Sequence, residues 1–74
     1  IYPNPSDGIF FINFGNEEFN GELSIFDSQG KLVMWEKLEN IQEKRISLNH
    51  LTAGQYILLI QTNSHIYVKH LQIK

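Results

Sequence analysis

The chain has 74 residues, no cysteine, a formal net charge of −2 and a pI near 5.8. This length supports one domain, and a hydrophobic content of 42% is enough for a folded core, which excludes a disordered chain. The missing cysteines exclude a disulfide, a thiolate nucleophile and a cysteine zinc site, and the acidic balance disfavours nucleic acid as a partner. No apolar run approaches the ~20 residues that a membrane-spanning helix needs.

The first eight residues predict a stiff entry segment. Pro3 and Pro5 lack an N–H group and hold the residues before them in extended backbone, so residues 1–8 read as a linker into a domain of residues 9–74. The sequence begins with Ile1 rather than Met. We therefore expect it to be a piece of a longer protein, with its targeting information upstream.

Beyond the linker, apolar residues recur at nearly every second position, which predicts strands. The first strand is expected at residues 9–14, and the second contains Leu23 and Ile25. Asp27-Ser28-Gln29-Gly30 places Asp at the first and Gly at the last position of a turn, a pattern typical of a type I turn with a glycine bulge. A tight hairpin into a third strand at residues 31–38 follows from this turn.

Three further strands complete the predicted order. A short strand is expected at residues 44–48, and turns at residues 49–54 and 63–65 flank strands at residues 55–62 and 66–73. The strand at 55–62 is apolar on both faces and is expected at the centre of a sheet, whereas the alternating, charged last strand is expected at an edge. No segment has the periodicity of an amphipathic helix.

The predicted fold is therefore all-β: an immunoglobulin-like antiparallel β-sandwich of about seven short strands. Six strands follow from the pattern, and residues 2–5 or 39–42 could supply a seventh edge piece. The predicted core consists of the residues expected on the inner strand faces, namely Phe10, Ile12, Phe14, Leu23, Ile25, Val33, Ile46, Leu48, Leu51, Tyr56, Leu58 and Ile60.

The side chains capable of metal binding do not form a recognisable site in the sequence. His65 and His70 would face opposite sides of a strand, and His50 lies in another connection. Asp7 and the Glu17-Glu18 pair lack the spacing of a calcium loop. We therefore predict no metal and no cofactor.

No catalytic set emerges from the residue types either. Asp27, Ser47 and His50 are the residue types of a hydrolase triad, but no nucleophile elbow accompanies them, so the chain is not expected to be an enzyme. Trp35 with Tyr67 could form an aromatic row for sugar stacking. The alternative function is accordingly a small carbohydrate-binding or adhesion module of a secreted protein.

Four motifs carry a family resemblance when they are taken in order. Residues 2–5 read YPNP and lead to Gly8 before a Phe-x-Ile strand, and residues 25–33 read IFDSQGKLV. Residues 48–58 read LNHLTAGQYIL, and residues 69–74 read KHLQIK. Together these motifs resemble the C-terminal sorting domains of the type IX secretion system, although that family often has two adjacent lysines where this chain has lysine and histidine.

The resemblance implies a signal domain on a secreted cargo protein of Bacteroidota-type bacteria. Such domains fold in the periplasm, are recognised by the outer-membrane translocon, and are usually removed by a sortase-like protease. The cargo is then released or attached to the cell surface. The implied partners are the translocon, the protease and a cargo domain fused on the N-terminal side, with no small-molecule substrate, nucleic acid or membrane-spanning segment.

Five residues are the candidates for recognition by the translocon: Gly54, Tyr56, Lys69, His70 and Lys74. Gly54 and Tyr56 are also explained as a turn glycine and a half-buried strand aromatic. The charges of the last strand are also explained as a guard against unwanted strand pairing. The stronger functional prediction rests on residues 69–74, because an exposed strand edge offers main-chain groups to a partner.

Overall fold

The computed structural model describes residues 8–15 and 18–74. This part of the chain forms two antiparallel sheets, one with the strand order β3-β2-β5-β6 and one with β1-β4. The prediction of an all-β sandwich is confirmed, and no helix occurs in the described ranges. The strands are β1 (Ile9–Asn13), β2 (Phe19–Asp27), β3 (Leu32–Ile41), β4 (Glu43–Ser47), β5 (Gly54–Gln61) and β6 (Ile66–Ile73).

The seventh strand piece has no counterpart among the six observed strands. Residues 2–5 lie outside the described residues, and the predicted connection at residues 39–42 is mostly the end of β3, which continues to Ile41. Only Gln42 separates β3 from β4, so the chain passes directly from one sheet to the other. Asn40 has a positive φ of 51°, a conformation that Asn tolerates better than most residues, and its N–H donates to Asn20 Oδ1 at 3.1 Å.

The predicted β2–β3 turn is confirmed in its details. The Gly30 N–H donates to the Asp27 carbonyl at 3.0 Å, and Asp27 Oδ1 accepts bonds from the N–H groups of Gln29 and Lys31, both at 2.9 Å. Gly30 has a φ of 85°, which glycine adopts without steric cost. Local sequence therefore specifies this hairpin.

The core lies between the inner faces of the two sheets. The register aligns Ile25 of β2 with Leu58 of β5, and Phe10 of β1 with Ile46 of β4, so alternate residues of each strand face inward. The buried apolar side chains are Phe10, Ile12, Leu23, Ile25, Leu38, Ile46, Leu48, Tyr56, Leu58, Ile60, Leu71 and Ile73.

The predicted core differs from the observed core at six residues. Phe14, Val33 and Leu51 are only partly buried and pack against the core. The core instead includes Leu38, Leu71 and Ile73, which the sequence pattern did not assign to it. β5 is central and β6 is at the edge, as expected, but the C-terminal half of β6 is covered all the same. An edge position removes one neighbouring strand without exposing the inner face along the whole strand.

The first described residue is hydrogen-bonded to the residue that follows β4. Gly8 is buried, and its carbonyl accepts a hydrogen bond from the Leu48 N–H at 2.6 Å. The boundary between an entry segment at residues 1–8 and a domain at residues 9–74 stays a prediction.

Candidate recognition surface

The five candidate residues lie on one hairpin. Gly54 begins β5 and pairs with Ile73, and Tyr56 pairs with Leu71 of β6. Lys69 and His70 belong to β6, and Lys74 follows that strand directly. The structure therefore brings the candidates together on two adjacent strands, and their role in recognition stays a prediction.

Tyr56 stabilises the connection that leads into β5. Its side chain is buried, and its hydroxyl donates to the Thr52 carbonyl at 2.7 Å. The same hydroxyl lies 3.4 Å from Thr52 Oγ1. A buried phenol needs a hydrogen-bond partner, and here that partner lies four residues upstream in the turn. Tyr56 is thus built into the fold, with little surface left for a partner to contact.

The backbone conformation at residue 54 favours glycine. Its φ is 152°, which side-chain-bearing residues rarely adopt, and a Cβ at this position would meet no heavy atom within 4 Å. The requirement therefore comes from the backbone conformation rather than from crowding. Like Tyr56, Gly54 sets the geometry of the hairpin.

The two adjacent basic side chains of β6 lie on opposite faces of the sheet. Lys69 pairs with buried Leu58, which places it on the inner face, while His70 pairs with Ile57 on the outer face. Both side chains are exposed. A partner that contacts both must therefore approach the strand along its edge, because neither face alone presents the pair.

The two halves of β6 differ sharply in burial. Ile66, Tyr67 and Val68 are each more than half exposed, whereas Leu71 and Ile73 belong to the core. We refer to the outer side of β6, with its main-chain groups and the side chains of residues 66–70, as the β6 edge. No strand in the described part of the chain pairs with this side.

A groove opens between the sheets beside the exposed half of β6. It has a volume of about 530 Å³, with Leu58 and Ile60 among the core residues that line it. Side chains of β1 border one side, and Tyr67 and Lys69 border the other. The sequence pattern did not indicate this groove, because it depends on how far the two-stranded sheet covers the four-stranded one.

The opposite side of the sandwich is closed by an ion pair. Glu36 pairs with buried Leu23 and Lys44 pairs with buried Ile12, so both charged side chains lie on inner faces. Lys44 Nζ contacts Glu36 Oε2, which links β3 to β4 across the sheets. The sandwich is therefore open at the groove on the side of β1 and β6, and it is closed by this ion pair on the side of β3 and β4.

The acidic residues are distributed unevenly along the chain. All eight precede Lys44, so residues 44–74 contain no Asp or Glu. The same stretch contains Lys44, Arg45, Lys69 and Lys74, together with the three histidines. The formal charge of the second half of the chain is therefore positive, whereas the chain as a whole carries −2.

The aromatic row expected of a sugar-binding module is not formed. Trp35 is 53% exposed and pairs with Ser24, which lies on the outer face of the sheet. Tyr67 pairs with buried Ile60 on the inner face, and its ring stacks on His65 with centroids 5.9 Å apart. The two aromatic rings thus lie on opposite faces and cannot stack on one ligand.

The metal candidates among the described residues do not cluster, and Asp27, Ser47 and His50 form no hydrogen bond with one another. Among residues 8–15 and 18–74, no three His, Asp or Glu side chains converge on a metal-sized site. His65 Nδ1 and Ser64 Oγ share a hydrogen bond of 2.9 Å. Asp7 and Glu17 lie outside the described residues. Asp27 is engaged in its turn, and the Ser47 hydroxyl donates to Asn49 Oδ1 at 3.1 Å rather than to His50.

The described residues form a small β-sandwich, and the candidate recognition residues lie on its hairpin of β5 and β6. The family model described as the secretion system C-terminal sorting domain matches residues 1–74, the whole chain. The chain therefore belongs to this family, the C-terminal sorting domains of the type IX secretion system. No curated protein matches the sequence.

Family membership fixes the broad role of the chain. A domain of this family interacts with the type IX secretion machinery and with a fused cargo, and it directs export toward the outer membrane, to the medium or the cell surface. The family consists of sorting signals rather than enzymes. The described residues include no helix long and apolar enough to cross a membrane.

Proposed function

We propose that this chain is the folded export signal of its cargo protein and has no catalytic activity of its own. In this proposal it folds in the periplasm and the outer-membrane translocon recognises it as a domain. The observation that carries the proposal is the family match over residues 1–74, the full length of the sandwich and of the segment before it. Sugar binding has no comparable support, because Trp35 and Tyr67 lie on opposite faces.

Within the domain, we propose that Lys69, His70 and Lys74 contact the translocon, while Gly54 and Tyr56 act through the fold. The first three side chains are exposed at the β6 edge or directly after it. Tyr56 is buried and hydrogen-bonded to Thr52, and Gly54 holds an unusual backbone conformation. The recognition surface is thus one strand, supported by the strand beside it.

Export of the full-length cargo protein tests this assignment. Removing residues 67–74 would also remove Leu71 and Ile73 from the core, so a truncation cannot separate recognition from folding. The better variant combines Lys69→Gln, His70→Gln and Lys74→Gln, all at exposed positions. We expect this variant to accumulate in the periplasm, measured by cell fractionation and immunoblotting.

The matched control is Lys31→Gln, which changes an exposed lysine in the β2–β3 turn. This control should be exported at the normal level, and circular dichroism of the purified 74-residue chains should show the same strand content for both variants. Normal export of the triple variant would contradict the proposed recognition residues.

We further propose that a sortase-like protease removes the domain by cutting before or near Ile1, after which the cargo is released or attached to the surface. Mass spectrometry of the exported cargo tests this step. Cargo that lacks peptides from residues 9–74 is expected, and exported cargo that retains them would contradict removal.

A further inference from the structure

We infer that the groove between β1 and β6 is a binding site for a small zwitterionic ligand with an apolar body, of the chemical class of an apolar dipeptide. The Lys69 ammonium group binds the carboxylate of this ligand, and the Glu18 carboxylate binds its ammonium group. The molecule is bound as a ligand rather than converted as a substrate. The inference goes beyond the proposed function and does not rest on it, because it concerns the purified domain alone.

The groove has the size and the lining of a small-ligand site. Its volume of about 530 Å³ lies within the range of ~300–1,000 Å³ that is typical of such sites. Its lining includes Leu58 and Ile60 of the core, together with Ile12 of the second sheet. A ligand would therefore meet apolar surface between the two sheets, which favours an apolar body.

Aromatic rings border the groove at two places. Phe14 and Phe19 stack with ring centroids 4.2 Å apart, and both are partly buried against the core. Tyr67 of β6 pairs with Ile60 on the inner face and is 52% exposed. Aromatic rings offer a large contact area to an aliphatic or aromatic side chain. The apolar body of the ligand is therefore covered by rings as well as by aliphatic side chains.

Two charges of opposite sign line the same groove. Lys69 of β6 pairs with Leu58 on the inner face, and Glu18 directly precedes β2. Both side chains are exposed, and neither belongs to the two ion pairs found among residues 8–15 and 18–74. Glu18 and Lys69 therefore do not neutralise each other, and a ligand can pair with both.

These separate charges select a zwitterion. A ligand with a single charge, whether anionic or cationic, would bring that charge near a group of the same sign and lose part of the attraction. A fully apolar ligand would cover the charges of Glu18 and Lys69 without a counter-charge, which is unfavourable. A ligand with an ammonium and a carboxylate group pairs with both side chains at once.

The positions of the two charges favour a dipeptide over a single amino acid. Glu18 is adjacent to Phe19, whose ring stacks on Phe14 directly after β1, whereas Lys69 lies on β6 at the other border of the groove. A free amino acid carries both charges on one carbon, whereas the terminal charges of an extended dipeptide are ~7 Å apart. The two side chains of a dipeptide also supply the apolar body.

Four forms of one dipeptide test the inference. Leucyl-phenylalanine has both terminal charges, its C-terminal amide lacks the carboxylate, its N-acetyl form lacks the ammonium group, and the doubly capped form lacks both. In NMR titrations of the isotope-labelled 74-residue chain, we expect the free dipeptide to shift the amide signals of residues 12–14, 18–19 and 67–69. Each single cap should weaken binding by about threefold, and both caps together by about tenfold.

Two variants assign each end of the ligand to one side chain. Lys69→Gln should weaken binding of the free dipeptide by about threefold and should not weaken binding of the C-terminal amide, which has no carboxylate. Glu18→Gln should weaken binding of the free dipeptide by about threefold and should not weaken binding of the N-acetyl form. The controls Lys31→Gln and Glu22→Gln remove the same charges from the β2–β3 turn and the outer face of β2, and should leave all affinities unchanged.

The inference would be overturned by equal binding of the four forms, by equal weakening in the control variants, or by shifts confined to residues outside the groove. Shifts that do not saturate would also overturn it, because they indicate nonspecific contact only. Groove signals that change with chain concentration in the absence of dipeptide would overturn it in favour of a second copy. Since the titrations use no export machinery, their failure leaves the proposed function standing, and normal export of the triple variant contradicts the proposed recognition residues without bearing on the groove.

Discussion

β3 and β6 occupy the two edges of the same four-stranded sheet, and they differ in the ion pairs that their charged residues form. The β3 register is interrupted twice against β2, and its charges form ion pairs within the chain, Lys37 with Glu39 at 3.1 Å and Glu36 with Lys44 of β4. The β6 register is continuous, and Lys69 faces an open groove without such a pair.

The difference shows that two edge strands of one sheet can differ in the regularity of their pairing and in whether their charged residues have ion-pair partners. Register irregularities such as the two in β3 make an edge a poorer template for a further strand. At β6 the pairing with β5 is regular, and Lys69 on the inner face belongs to neither of the ion pairs among the described residues. β3 is therefore linked to the second sheet by an ion pair, whereas β6 combines a core half with an exposed half.

The largest expected effect concerns the core half of β6. Leu71 is 1% exposed, so Leu71→Ala should lower the free energy of unfolding by about 2–5 kcal/mol through lost burial and a residual cavity. Val68, on the same strand, is 58% exposed, and Val68→Ala should cost less than about 1 kcal/mol. Urea denaturation followed by circular dichroism measures both values. Similar losses for the two variants would contradict the division of β6 into a core half and an exposed half.

An intermediate effect is expected for the ion pair that links β3 to β4. In a double-mutant cycle with Glu36→Gln and Lys44→Gln, the coupling should be about 1 kcal/mol, because both side chains are largely covered. The matched cycle uses Lys37→Gln and Glu39→Gln, whose side chains are about two-thirds exposed, and should give less than about 0.5 kcal/mol. Thermal unfolding at several salt concentrations supplies the values. A stronger coupling for the exposed pair would show that the link across the sheets contributes little.

The smallest effect on folding is expected for Lys69→Val. Lys69 is exposed and lies in the groove, so its replacement should change the free energy of unfolding by less than about 0.5 kcal/mol. Because valine would extend the exposed apolar stretch of Ile66, Tyr67 and Val68, the variant should associate with other copies, and sedimentation velocity should detect dimers or larger species. Lys31→Val is the control and should remain as monomeric as the parent chain. A monomeric Lys69→Val variant would show that Lys69 does not prevent association between copies of the chain.

The parts of the structure that were predictable are those fixed by neighbouring residues. The Asp27 to Gly30 turn was predictable because its hydrogen bonds join residues at most four positions apart. Alternation correctly assigned Leu23, Ile25 and Leu58 to the inner faces, since the side-chain period of a strand is a local property. The turn at residues 63–65 was also predictable, and it joins the two strands β5 and β6.

The incorrect core predictions concern residues whose burial depends on strands far away in the sequence. Leu71 and Ile73 are core residues because another part of the sandwich covers the C-terminal half of β6, which strand periodicity cannot show. The length of β3 was underestimated because its last residues continue the pairing with β2 up to Ile41, past the positive-φ residue Asn40. Nothing in the sequence indicated that Lys69 is the one basic residue among the described residues that line the groove.

The sequence by itself determined the all-β class, the β2–β3 turn, the membership of the sorting-domain family and the absence of acids from residues 44–74. Each of these properties is local or compositional. Only the tertiary structure decided that β3 and β6 are the edges, that one side of the sandwich is closed by Glu36 and Lys44, and that the other is open beside Lys69. These features arise from pairings between strands far apart in the chain, and the period of a single strand carries no information about which neighbour it acquires.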